Sequence, residues 1–375
     1  MIRKWIGILI CCIYLIGCVP RIPLEEASLI LVIGLDRTSN GEMKVGTSIP
    51  IFHHEKQKST VNHWIQASTI YEGFSKIATK LTGYVTSAKT EVILIGKKVA
   101  QEENWIQQLD SSYRNPYATI NAKVVLVDGF VEDIFKLHKS DEPSLSSYIS
   151  GLIESSIQTN QSVPSNIQQL MREKNEQGMT QTIPIIKKTS NEIDTVGIVF
   201  LDSKGRYLTK IPKRDVKFFN LINKSKSTGR MILHLLLSLN KSNQKTNTSV
   251  LVQTAKRTIT VDFQKGKFLF NIDVNMNVSL IEKINGNITE NGKYSSKYIN
   301  KLEHEIQSEI NKKLQGMLRN MQRDRIDPIN LSLYASAYQY KEWKKIKEEW
   351  LGTLSKAKIR VNTHVKINDT GTIRN

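Results

Sequence analysis

The sequence predicts an α+β protein: mixed sheets with packed helices, in two to three α/β domains after a lipoprotein signal peptide. Three observations carry this reading. In the first half, short apolar runs rich in Val and Ile alternate with stretches of helical period. In the second half, a long alternating β region from Val250 to Ile284 is followed by an amphipathic helix from Ser296 to Arg323. With 375 residues and 39% apolar content, the chain has material for more than one core.

The first eighteen residues, MIRKWIGILICCIYLIGC, set the context. Arg3 and Lys4 precede an apolar run from Trp5 to Ile16. That run falls short of the roughly 20 residues a spanning helix needs. A basic start, a short apolar stretch and a small residue at the cut mark residues 1–17 as a signal peptide. The ending Leu15-Ile16-Gly17-Cys18 resembles a bacterial lipobox, with Ile16 the less usual residue. The resemblance implies cleavage before Cys18 and a diacylglycerol on its thiol. A plain signal peptide and a retained apolar helix are the alternatives. Cys11 and Cys12 would leave with the signal, so the mature chain would hold no disulfide and no cysteine metal site.

Residues 18–28 read as a lipidated tether carrying Pro20 and Pro23. An N-terminal α/β region is expected over 29–190. Leu29 to Asp36 and Glu42 to Phe52 form a hairpin around the turn cluster Arg37–Gly41. After a polar stretch, Trp64, Ala67, Tyr71, Phe74, Ala78 and Leu81 share one face, which predicts a helix ended by Gly83. Glu91–Ile95 and Ala122–Val127 read as strands, and Glu102–Tyr113 and Phe130–Leu137 as helices. This rhythm predicts a sheet with helices on one face. Residues 143–178 read as helices broken near Pro164 and closed by Gly178.

A C-terminal basic α/β region with a β-meander and a long helix is expected over 191–375. It opens on a second hairpin, Thr195 to Pro212, turning at Asp202–Gly205. This repeats the plan of the first hairpin, as an internal repeat or as two hairpins of one sheet. Asp215–Lys224 predicts a short helix and Arg230–Leu239 a buried strand. In the meander, Ile259, Val261 and Phe263 alternate with polar residues, as do Phe268, Phe270, Ile272, Val274 and Met276. On the long helix Leu302, Ile306, Ile310, Leu314 and Leu318 make an apolar stripe, stopped by Asp327-Pro328. Asn330 to Leu351 is a further helical region, and Ala357 to Ile367 alternates as a final strand.

The formal net charge is +18. Residues 1–199 hold 20 basic and 20 acidic side chains, so the excess lies in residues 200–375, with 33 and 15. On an exported protein this favours anionic headgroups or wall polymer over nucleic acid, beside an ordinary solvated surface. No Gly-x-Ser-x-Gly, phosphate loop or His-Glu-x-x-His occurs. His53, His54, Glu55 and His63 are the local cluster of metal-ligand types, on a polar stretch without i, i+4 helical spacing, and read as a solvated loop. His304-Glu305 reads as helix surface. Trp343 and Trp350, with lysines between them, fit a core or a headgroup region. No catalytic residue, cofactor or metal is assigned.

Several blocks together resemble the Ger(x)C family, the lipoprotein C subunits of spore germinant receptors. They are Leu15–Cys18, LILVIGLD with NGEMKV, SAKTEVILIGKKVA (Ser87–Ala100), RNPYATINAKVVLVDG (Arg114–Gly129), PSLSSYISGLIESS (Pro143–Ser156), TVGIVFLDSKGRYL and the closing DPINLSLYASAYQYKEWKKIKEEW. The chain departs at Val19-Pro20, where the family often has Trp-Asp, and at Arg114-Asn115-Pro116, where it has Arg-Asp-Pro. The resemblance implies a non-enzymatic subunit tethered by Cys18 to the outer face of the spore inner membrane. Its partners would be polytopic A-type and B-type subunits, and it would help trigger germination. It implies three mixed α/β domains. The competing reading is a solute-binding lipoprotein of a transporter, which shares the anchor and would need a cleft with convergent polar groups.

Overall fold

The computed structural model describes residues 27–51, 59–81, 83–114, 118–137, 144–224, 226–238, 245–283 and 295–369. The strands of the first half are β1 (Ala27–Leu29), β2 (Val32–Arg37), β3 (Met43–Ile51), β4 (Ser59–Gln66), β5 (Tyr84–Thr86), β6 (Val92–Gly96) and β7 (Lys123–Val127). They are followed by β8 (Thr182–Thr189), β9 (Glu192–Leu201) and β10 (Tyr207–Pro212). Eight of them form one sheet in the order β10-β9-β8-β7-β6-β2-β3-β4, and β1 pairs with β5 apart from it. The centre β2-β6-β7-β8 is parallel, and antiparallel strands extend it at both edges. Both hairpins read from the sequence thus belong to this sheet.

Helices cover both faces of the sheet rather than the one expected. All five residues of β6 are buried, so its alternate side chains need cover above and below. Helices α1 (Ile70–Ala78), α2 (Lys97–Ala100) and α3 (Asp110–Arg114) come first, with a 3-10 turn at Trp105–Leu109 before α3. Then come α4 (Val131–Leu137), α5 (Leu145–Gln158) and α6 (Ile167–Asn175). One core joins Ile33, Ile93, Ile95 and Val124 to α1, α6 and the 3-10 turn. The other joins Val32, Val92, Leu94 and Val125 to α4 and α5.

Trp64 lies on β4 and not on the expected helix, which starts at Ile70 under a Thr69 cap. Its ring rests over two glycines. A Cβ at Gly34 would sit 2.9 Å from it, and one at Gly46 2.6 Å. The ring also meets Phe135 edge-on at 5.0 Å. Cross-strand packing, not helical period, places this tryptophan.

The second sheet holds β11 (Lys226–Ser238), β12 (Lys245–Gln264), β13 (Lys267–Lys283) and β14 (Lys358–Asp369), in that order. β12 and β13 turn at Lys265-Gly266, both at positive φ. β14 runs parallel to β13. Helices α7 (Lys213–Asn223), α8 (Ser296–Arg323), α9 (Leu331–Tyr338), α10 (Tyr340–Ile346) and α11 (Trp350–Ser355) complete the chain. The stripe Leu302, Ile306, Ile310, Leu314 and Leu318 is buried against Phe270, Ile272 and Val274 of β13.

The division expected between residues 190 and 191 falls at the tight turn joining β8 to β9, where Ser190 has φ +52°. β8 and β9 pair directly, so the first sheet runs on to Pro212. β9 also gives Ile198 and Phe200 to the core of the second sheet, where Phe200 meets Phe219 of α7 at 5.4 Å.

Candidate functional site

Cys18, the residue expected to carry lipid, lies outside the described residues, as do His53, His54 and Glu55. His63 lies on β4, half-buried, and its Nε2 has no hydrogen-bond partner. Burial, with a smaller push from Lys80, lowers its pKa and favours the neutral ring. Among the described residues no group of three His, Cys, Asp or Glu could hold a metal ion. Among them, too, no helix is long and apolar enough to cross a membrane. His304 is exposed on α8.

Trp350 has no place at a headgroup surface, because it is 1% exposed. It packs edge-on to Phe268 at 5.5 Å and Phe270 at 6.3 Å. Trp343 is partly buried against the same core. On its other side Trp350 covers Gly178, which has φ +83°, and a Cβ there would strike the indole. The glycine read as a helix end therefore does a second job: it admits a side chain from 172 residues further along.

Around this contact the two halves of the chain are joined by a polar knot. Asp327 N–H donates to Thr180 Oγ1 at 2.8 Å, and Thr180 N–H donates to Asp327 O at 3.3 Å. The Asp327 carboxylate accepts from Leu331 N–H at 2.8 Å, Ser332 N–H at 2.7 Å and Trp350 Nε1–H at 3.0 Å. Two of those donors open α9, so one carboxylate caps a helix and fastens the indole at once. Asp327 is 1% exposed. Burial pushes its carboxyl up to about 6, and the N–H donors oppose that rise. Nearby on α6, Glu173 is 7% exposed, accepts from Gln169 Nε2 at 2.8 Å, and is also pushed to about 6 by burial.

A cleft of about 570 Å³ runs beside this knot, with Gln177, Lys204, Asp324 and Glu348 among its walls. Gln177 Nε2 donates to Glu348 Oε1 across it at 2.9 Å. The knot is mechanical in character. The carboxylate already holds three donors, so it fixes the two halves and has little left for proton transfer.

The early aspartate plays a like part. Asp36, in LILVIGLD, accepts from Val131 N–H at 2.8 Å and Arg37 N–H at 2.9 Å, capping the start of α4. Burial raises its pKa, and these two donors oppose the rise. A Cβ on Gly96 would sit 2.5 Å from Asp36 Oδ1, so the glycine of the ILIG block makes room for this carboxylate. The sequence marked Asp36 as a strand end and Asp327 as a helix stop. Neither role required a partner far along the chain, which is why the knot was not visible there.

Two family profiles match the chain in succession. Residues 20–188 match one described as the spore germination protein N-terminal domain. Residues 197–371 match one described as spore germination B3/GerAC like, C-terminal. The turn between β8 and β9 lies between them. A curated relative, spore germination protein GerQC of Bacillus cereus, is 22% identical over 220 residues, 59% of this chain and 61% of that protein. The match thus spans under two thirds of that relative. The crystal structure of the GerBC protein superposes with a TM-score of 0.61 at 15% identity, over 90% of this chain and 96% of that one. That likeness is one of fold.

Proposed function

The chain belongs to the Ger(x)C family of germinant receptor C subunits, and from that premise we propose that it is a membrane-anchored, non-enzymatic lipoprotein subunit that helps trigger germination. The observation that carries this reading is the succession of the two germination profiles, in order, over residues 20–188 and 197–371. The anchor would be a diacylglycerol on Cys18, supported by Leu15-Ile16-Gly17-Cys18 behind a basic start and a short apolar run. Eight residues lie between Cys18 and Ala27, nine Cα steps in all, so a tether of about 30 Å at full stretch would join lipid to fold. The location would be the outer face of the spore inner membrane. The partners would be polytopic A-type and B-type subunits. Confinement to a membrane raises the effective concentration of one subunit near another. A single acyl chain is marginal for anchoring and two are secure, as a diacylglycerol supplies.

Cys18→Ala is the test. The variant is expected to leave the membrane fraction of sporulating cells and to slow nutrient germination. Normal membrane retention together with normal germination would overturn the reading.

A further inference from the structure

A second cavity, of about 590 Å³, opens beside the edge strand β11, between α7 and α8. Its composition is lopsided. Lys213, Arg214 and Lys217 from α7 and Lys313 from α8 line it, against one acid, Asp215. That acid does not neutralise them. Asp215 Oδ2 is 3.7 Å from Arg214 Nε, and its Oδ1 is 4.0 Å from Lys313 Nζ, both long for a charge-assisted hydrogen bond. The Arg214 side chain is 86% exposed.

The two inner ammonium groups are held by neutral partners. Lys217 Nζ donates to Ile232 O of β11 at 2.7 Å. Lys313 Nζ stands 5.0 Å over the Phe218 ring. Burial lowers the Lys217 pKa, and Lys213, one turn back on the same helix, lowers it further. Like charges are thus gathered around a space whose floor includes Phe218 and Leu233, 4% and 1% exposed. Such an arrangement is relieved by an anion carrying more than one charge.

We propose that this cavity binds a phosphate group, its oxygens among Lys213, Lys217 and Lys313, with Arg214 closing over it. A phosphomonoester carries about −1.5 to −2 at neutral pH, which suits an excess of cations better than a single carboxylate does. Arginine and lysine together supply the planar fork and the point charges that phosphate oxygens accept. The same chemistry is offered by a free phosphate ester and by a lipid headgroup. The inference does not depend on lipidation of Cys18.

Calorimetric titration of the purified full chain in neutral detergent, at low ionic strength, tests it. One arm uses glycerol 3-phosphate and the other dihexanoylphosphatidic acid, whose headgroup is likewise a phosphomonoester, below its micelle concentration. Saturable binding of the first assigns a free ester, and saturable binding of the second assigns a headgroup. In either arm Lys217→Met with Lys313→Met should weaken binding by about tenfold or more. Arg214→Gln, at an exposed side chain, should weaken it by a smaller factor while the melting temperature stays that of the parent. Should the double variant not fold, Arg214→Gln and Lys213→Gln carry the comparison. Absence of binding at millimolar concentration in both arms would overturn the proposal. So would binding that these variants leave unchanged.

Discussion

Asp327 concentrates the consequences that belong to single residues. Asp327→Ala strips the acceptor from three donors in a site that is 1% exposed. It should destabilise the protein by about 3 kcal/mol or more in urea unfolding. Trp350→Phe keeps the ring contacts with Phe268 and Phe270 but deletes one donor, at a cost of about 1 kcal/mol. Protonation gives a further signature. Asp327 rises from 3.8 to about 6 on folding and Glu173 from 4.5 to about 6. In both cases the folded state binds the proton more tightly than the unfolded chain does. Their contribution is therefore full below the unfolded values and is lost as pH rises through about 6. Asp327→Asn with Glu173→Gln should remove this fall. Its stability relative to the parent should improve between pH 4 and about 6.5, whatever the offset. At this scale the sequence was legible in part. Asp327-Pro328 announced a break, and Gly178 a helix end. That Thr180, Trp350 and Asp327 meet depends on how two sheets dock, which no local pattern encodes.

Between elements, the contact between α8 and β14 decides how the second sheet ends. β14 lies at its edge, where backbone groups lack a strand partner. Side chains four and eight residues apart on α8 supply the partners. Gln315 Nε2–H donates to Ile359 O at 3.2 Å, Asn311 Oδ1 accepts from Thr363 N–H at 2.9 Å, and Glu303 Oε1 accepts from Ile367 N–H at 2.7 Å. Between them Gln307 O accepts from Thr363 Oγ1–H at 3.3 Å. One helix thus packs an apolar stripe into the sheet and lays a polar stripe along its edge. Asn311→Ala should cost about 1–2 kcal/mol, because Thr363 is 1% exposed and its N–H loses its acceptor. With Gln315→Ala added, the opened edge should promote self-association, read by light scattering. The apolar stripe was evident from its period. The polar one is not told from the sequence, since its purpose shows only once β14 is seen parallel to β13. The misplaced helix start at Trp64 has a related cause. Trp64 and Ala67 happen to be three apart, but Gly34 and Gly46 of neighbouring strands make the seat that fixes Trp64. Gly46→Ala should therefore destabilise by about 1–3 kcal/mol, as an overpacked core does.

At the level of the whole molecule, the two sheets are held by α7, by the residues of β9 that enter the second core, and by the knot at Asp327. Alternation and helical period disclosed the α+β class and most of the strands, but not β1, β4 or β5. They did not disclose that eight strands from Val32 to Pro212 form one sheet, because parallel neighbours such as β7 and β8 are separated by three helices. Cys18, proposed as the lipid-bearing residue, is read from the signal pattern alone and lies outside the described residues. Membership of the family rests on matches along both halves of the chain. The proposed role as an anchored receptor subunit is tested most directly by a gentle-detergent pull-down of the protein from sporulating-cell membranes, with mass spectrometry of what comes with it. Co-purification of two polytopic membrane proteins is the predicted result. Recovery of a transporter permease, or of the protein alone from the soluble fraction, would contradict it.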